Sequence, residues 1–111
     1  MTSSHPRRRI VGVSLKMYFN LQRTATYISS CLPLHALAAT KSIEIFIIPD
    51  FLSLAFVSGL PQAAPSIRLG AQDCFWEDSG AYTGEVSPMC LKNFGCFNGG
   101  AGACGTEEAV R

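Results

Sequence analysis

Residues 43–48 read Ile-Glu-Ile-Phe-Ile-Ile, and Pro49 closes the run. Apart from Glu44 the segment is apolar on both faces and rich in β-branched side chains, the pattern of a strand covered on both sides. An antiparallel sheet with one wet face would alternate instead. Two shorter runs have the same character. Residues 9–15, Arg-Ile-Val-Gly-Val-Ser-Leu, read as a short buried strand ending near Lys16, and residues 67–72, Ile-Arg-Leu-Gly-Ala-Gln, as a third strand.

Between the runs the period changes. Leu21, Ala25, Ile28 and Leu32 recur at helical spacing, with Asn20 placed to cap the start. Pro33 removes a backbone donor there, so a kink or a second short helix through Ala39 is expected. Asp50 starts a helix over residues 51–58, and Gly59 ends it. Ser87 and Pro88 take the cap and first-turn positions of a last helix running to about Phe94, with Gly95 past its end. Residues 89–94 read as plain helix core. The order βα-βα-βα implies an α/β fold, a parallel sheet with helices outside and right-handed crossovers. Functional groups of such sheets gather at strand C-terminal ends, which groups Ser14, Lys16, Gln72 and Asp73 on one face.

Composition narrows the function classes. The chain has 111 residues, 48% hydrophobic and 15% charged, and its formal net charge is +1. That is one globular domain without a nucleic-acid footprint. The basic residues 5–9 are few and lack an amphipathic continuation, so residues 1–9 read as a disordered basic N-terminus rather than a targeting peptide. Five cysteines, Cys31, Cys74, Cys90, Cys96 and Cys104, are odd in number and widely spaced. They form no Cys-x-x-Cys pair, and neither His5 nor His35 stands at zinc-ligand spacing from them. Reduced cysteines in a cytoplasmic protein, with no metal and no cofactor, are the expectation. The apolar stretch 43–60 is broken by Glu44, Pro49 and Asp50, which favours two soluble elements over a membrane span.

Residues 70–88, GAQDCFWEDSGAYTGEVSP, form a long polar loop after the third strand. This segment resembles the third strand and third loop of triosephosphate isomerases. KMYF, residues 16–19, resembles that family's active-site lysine segment, and IPDFLSL, residues 48–54, the second strand and helix of its fungal branches. The resemblance runs from about residue 10 to residue 96. It implies the first three βα units of a TIM (β/α)8 barrel, truncated, followed by an unstructured C-terminal tail over residues 97–111. It also implies a catalytic, substrate-binding Lys16, whose ammonium neutralises a phosphorylated sugar and the charge developing on an enediolate oxygen. Ser14 stands where the family has asparagine and would touch the same substrate. Leu15 replaces tryptophan. Because serine is shorter and lacks an amide donor, a paralogue acting on another small sugar phosphate is an open alternative. Asp73 replaces an asparagine where a structural role is expected.

By the same resemblance the third loop enters a pocket of a partner subunit beside the partner's lysine. That implies a homodimer, with Gln72, Tyr82, Thr83 and Glu85 at the interface. The residue types agree: Gly80 and Gly84 permit tight turns, and Tyr82 is a rigid amphipathic anchor. Without a partner the same loop is a solvated connector.

The family's chemistry also needs a glutamate that moves the proton and a neutral histidine that polarises the carbonyl, a pairing for which this family is the standing illustration. Both should follow later strands, the histidine in a segment like LGHAERR, and neither motif occurs. A full barrel needs eight βα units and about 250 residues. The tail, FNGGAGACGTEEAVR, is glycine-rich and has no strand pattern. Gly99 to Glu108 can be encoded by a choice of codons, GGT-GGA-GCT-GGG-GCA-TGC-GGA-ACG-GAG-GAG, that, read one nucleotide on, spells Val-Glu-Leu-Gly-His-Ala-Glu-Arg-Arg. The histidine then falls where Ala103 stands. A frameshift, mis-splicing or gene-model error near Asn98 is the expectation. Three readings follow: an N-terminal portion of a ketose–aldose phosphate isomerase, inactive alone; a non-catalytic fragment that binds an intact subunit; or a small βα domain of unrelated function.

Overall fold

The computed structural model describes residues 8–96; the tail expectation and most of the basic N-terminal segment lie outside them. Three parallel strands, β1 (Arg9–Ser14), β2 (Ile43–Ile48) and β3 (Ile67–Leu69), form one sheet in the order β1-β2-β3. Helices α1 (Leu21–Cys31), α2 (His35–Thr40), α3 (Phe51–Val57) and α4 (Pro88–Asn93) follow in alternation. This is the α/β architecture of consecutive barrel units.

The local signals act as their chemistry requires. The Asn20 side chain accepts the Arg23 N–H at 2.8 Å, and the Asp50 carboxylate accepts the Ser53 N–H at 3.2 Å. Ser87 accepts the Cys90 N–H, and Gly95 leaves α4 with φ +74°. Each cap satisfies a donor that the first helical turn leaves free. Pro33 sits in a 3-10 turn, Leu32–Leu34, that separates α1 from α2. The His35 Nδ1 accepts the Ser66 N–H at 3.3 Å, fastening α2 to the turn before β3.

The core lies on the helix side of the sheet. Ile47, Ile67 and Leu69 point into it with Ile28, Leu54 and Val57 from α1 and α3. The register pairs Val13 with Ile47 and Ile47 with Leu69, so alternate residues share this face. The opposite face carries Glu44, Phe46 and Ile48. There the Phe46 ring lies across Gly12, which has no Cβ to obstruct it. Glu44, near the start of β2, is held by Arg8 at 2.6 Å and faces Arg68 at 4.0 Å. Four strand steps, about 13 Å, separate it from the C-terminal end of β2.

Three expectations need correction. β1 is not buried: Ile10, Val11 and Val13 are 51%, 55% and 40% exposed, because β1 is an edge strand with no described helix packed outside it. β3 stops at Leu69, and residues 70–72 continue only as a single bridge at Ala71. Residues 89–94 are not plain core, since Leu91 alone of them is buried while Met89 and Phe94 are half-exposed. Such a short helix packs through one residue per turn. Among the described residues, Cys31, Cys74, Cys90 and Cys96 form no disulfide.

Candidate functional site

The C-terminal ends of the strands bring three of the sequence-predicted residues together. Leu15 extends β1 by one more rung, its N–H donating to the Ile48 carbonyl at 2.9 Å, and its side chain is buried. The chain then turns back on itself through Lys16, and the Tyr18 N–H donates to the Leu15 carbonyl. Lys16 has φ +53°, the left-handed region that a side chain bearing a Cβ seldom occupies. Both of its backbone polar groups are held. Its N–H donates to Ser14 Oγ at 3.2 Å, and its carbonyl accepts Gln72 Nε2 at 2.8 Å. The lysine side chain is left exposed at the end of the sheet.

Gln72 arrives there because β3 hands over to a buried Gly70-Ala71 pair. The Gly70 N–H donates to the Ile47 carbonyl, and a Cβ on Gly70 would press on Ile48 at 3.3 Å. The Asp73 carboxylate accepts the Cys74 N–H at 2.8 Å, a bond to the next residue in the chain.

The loop after it is a closed excursion. Its neck is the Phe75 N–H on the Val86 carbonyl at 2.8 Å, and Ser87 Oγ donates to the Asp78 carbonyl at 2.7 Å. Phe75 stacks on Trp76 at 4.2 Å and meets Tyr82 at 4.5 Å between ring centroids. Gly80, at φ +139°, passes beneath the Tyr82 ring, where an added Cβ would lie 2.5 Å from Cε2. Gly84 turns at φ +89°, and the Glu85 N–H closes the turn on the Tyr82 carbonyl at 3.0 Å. Tyr82, Thr83 and Glu85 are all exposed. Tyr82 therefore has one face committed to its own loop and one open.

The sequence reading passed over the apolar surface beside the lysine. Met17, Tyr18, Leu52 and Trp76 are 91%, 85%, 86% and 81% exposed. All four follow strand C-termini and so share one end of the sheet. The signal was present in KMYF and FLSL, where large apolar residues stand at turn and first-turn positions that a solvated loop would fill with polar ones.

Sequence comparison covers nearly all the described residues. The family profile for triosephosphate isomerase matches residues 9–98. The chain belongs to the triosephosphate isomerase family. It is 42% identical over 93 residues to the L-erythrulose-1-phosphate isomerase of Pectobacterium atrosepticum, which covers 81% of this chain and 36% of that protein. It is equally 42% identical, over 90 residues, to the triosephosphate isomerase of Dictyoglomus thermophilum, covering 81% of this chain and 35% of that one. The chain thus spans about a third of the length of the curated relatives it matches. Within the family fold, Ser14 and Lys16 sit at the C-terminal end of the first strand and Gln72 just beyond that of the third. Among the described residues no group of three or more His, Cys, Asp or Glu is placed to hold a metal ion. No helix among them is long and apolar enough to cross a membrane.

Proposed function

We propose that this chain carries the first three βα units of a cytoplasmic ketose–aldose phosphate isomerase, with Lys16 as the residue that binds the phosphorylated substrate. The observation that carries the reading is the Lys16 turn. In a chain of this family, a lysine at the end of β1 has its backbone bonded at both polar groups and its ammonium exposed. A fixed cation there attracts a phosphate and opposes the negative charge that grows on an enediolate oxygen. The reaction interconverts dihydroxyacetone phosphate and glyceraldehyde 3-phosphate, a step of glycolysis and gluconeogenesis, and needs no cofactor. The fungal subtype rests on residues 48–54 alone.

Proton transfer needs a positioned base, and among the described residues no carboxylate forms an ion pair with Lys16. Asp50 caps a helix, Asp73 closes a turn and Glu44 pairs with arginine. The 111-residue chain is accordingly inactive alone, and the shifted frame after Asn98 would restore the missing histidine. In the intact protein two subunits pair, and the third loop, through Gln72, Tyr82, Thr83 and Glu85, completes the partner's site. The exposed Met17, Tyr18, Leu52 and Trp76 support this, because an apolar patch of that kind at the site's rim calls for cover.

A second substrate has specific support. Ser14 and Leu15 depart from the family pattern, and one relative at 42% identity is an L-erythrulose-1-phosphate isomerase. The test is a coupled isomerase assay with triose and tetrulose phosphates, on the 111-residue chain and on a protein extended in the shifted frame. The extended protein should turn over one of them and lose that activity on Lys16→Ala. Turnover by the 111-residue chain above its Lys16→Ala control would refute the reading.

A further inference from the structure

Lys16 is the one residue at the sheet end whose conformation is unfavourable by itself. A lysine holds φ +53° only where its surroundings fix it. Three strand ends do so. The preceding peptide is pinned by the Leu15 N–H on the Ile48 carbonyl of β2. The Lys16 N–H is taken by Ser14 Oγ of β1, and the Lys16 carbonyl by Gln72 Nε2 beyond β3, 56 residues away in the chain.

We propose that Ser14 and Gln72 are positioning residues. Their side chains clamp the peptide units on either side of Lys16 and aim its ammonium, and Ser14 acts through that backbone bond rather than by grasping substrate. The inference rests on the reading of Lys16 as the phosphate-binding group. It also gives the serine at position 14 a purpose. A hydroxyl is short enough to reach the N–H two residues on, the local bond that serine makes readily in turns. Its oxygen is engaged by the Lys16 backbone, so removing it frees the lysine even though the ammonium is untouched. An aimed lysine has less rotamer freedom to lose when it binds an anion.

The test uses the 111-residue protein at micromolar concentration. Residue-resolved hydrogen exchange reads the Lys16 amide, and a titration with inorganic phosphate reads affinity. Ser14→Ala should speed exchange at Lys16 by about tenfold or more while leaving Leu15, held by Ile48, protected. It should also weaken phosphate severalfold. Ser14→Thr, which keeps a hydroxyl, should restore both. Gln72→Leu should loosen Lys16 in the same way from the other side. Unchanged Lys16 exchange in both Ser14→Ala and Gln72→Leu would overturn the clamp. So would faster exchange with unaltered phosphate affinity in Ser14→Ala, provided Lys16→Ala weakens binding. Should Lys16→Ala leave phosphate affinity unchanged, the phosphate reading falls, and the exchange data alone decide the clamp.

Discussion

Gly12→Ala should destabilise the chain, and the reason is one ring. Phe46 lies across Gly12 on the open face of the sheet, and an added Cβ would land against its Cζ, Cε1 and Cε2 atoms closer than any ordinary contact. The ring must swing off β1 or the strands must part. Overpacking of this kind costs about 1–3 kcal/mol. Alanine recovers part of it, about 0.5 kcal/mol, by removing glycine's freedom in the unfolded chain. A net loss of about 1–2 kcal/mol is expected. For a domain of this size that is a fall of roughly 5–15 °C in Tm. Urea unfolding followed by circular dichroism, at one fixed protein concentration, measures it. Phe46→Leu removes the tip of the ring and should cost about 1 kcal/mol by itself. In the Phe46→Leu background Gly12→Ala should be neutral or favourable, a coupling of at least about 1 kcal/mol between two residues in contact. Additive losses, or a harmless Gly12→Ala in the parent chain, would show that Phe46 does not occupy that space.

Asn20→Ala should cost about 1 kcal/mol in urea unfolding, because the cap on Arg23 is lost. Ile28→Ala, at a side chain with no exposure, should cost about 2–5 kcal/mol in the same assay. Burial raises the Cys31 thiol and the Tyr27 phenol above their ordinary values. Raised acid groups favour the neutral folded form, so stability should hold below the ordinary thiol value of 9.0 and decline as pH rises beyond it. A urea series across that range, with Cys31→Ala as the control, checks the sign. The chain should self-associate, because among the described residues β1 and β3 each leave one edge unpaired and the Lys16 end exposes Met17, Tyr18, Leu52 and Trp76. Sedimentation showing only an 11.9 kDa monomer at tens of micromolar would contradict that.

Much of the fold was legible because its signals are local. The two-sided apolar character of residues 43–48 placed β2, and Asn20, Asp50 and Ser87 marked helix starts that the cap bonds bear out. Pro33 and Gly95 likewise marked breaks. What failed was burial. Val11 and Val13 carry the residue types of a covered strand, yet covering depends on neighbours that the strand's own residues do not specify. The same holds for Met89 and Phe94. At the site, the grouping of Ser14, Lys16 and Gln72 followed from strand polarity alone. The bonds among them did not. The Ser14 bond to the Lys16 N–H is local, but the left-handed φ of Lys16 and the bond from Gln72, 56 residues away, are not written in the residues around position 16.

The groups around Lys16 come from three strand ends. Each strand end contributes a different kind of group. β1 supplies the cation and the serine hydroxyl, β2 the Ile48 carbonyl that pins Leu15, and the segment beyond β3 the Gln72 amide that holds the lysine carbonyl. None of these can take a proton from carbon. The carboxylates nearest in sequence are all engaged in caps, turns or ion pairs. If Lys16 binds the phosphate as proposed, the base that moves the proton has to come from outside the described strands. The loop over residues 74–87 adds the converse dependence. Its aromatic knot of Phe75, Trp76 and Tyr82 is formed within its own chain, but Trp76 remains 81% exposed. A ring of that size held rigid and left in water loses the benefit of burial, worth roughly 2–3 kcal/mol for a large side chain. A second subunit laid against Met17 and Tyr18 would recover it. Trp76→Ser should therefore weaken self-association while leaving the Lys16 amide exchange of the monomer unchanged. A variant that associates as strongly as the parent would place the contact elsewhere, on the free strand edges.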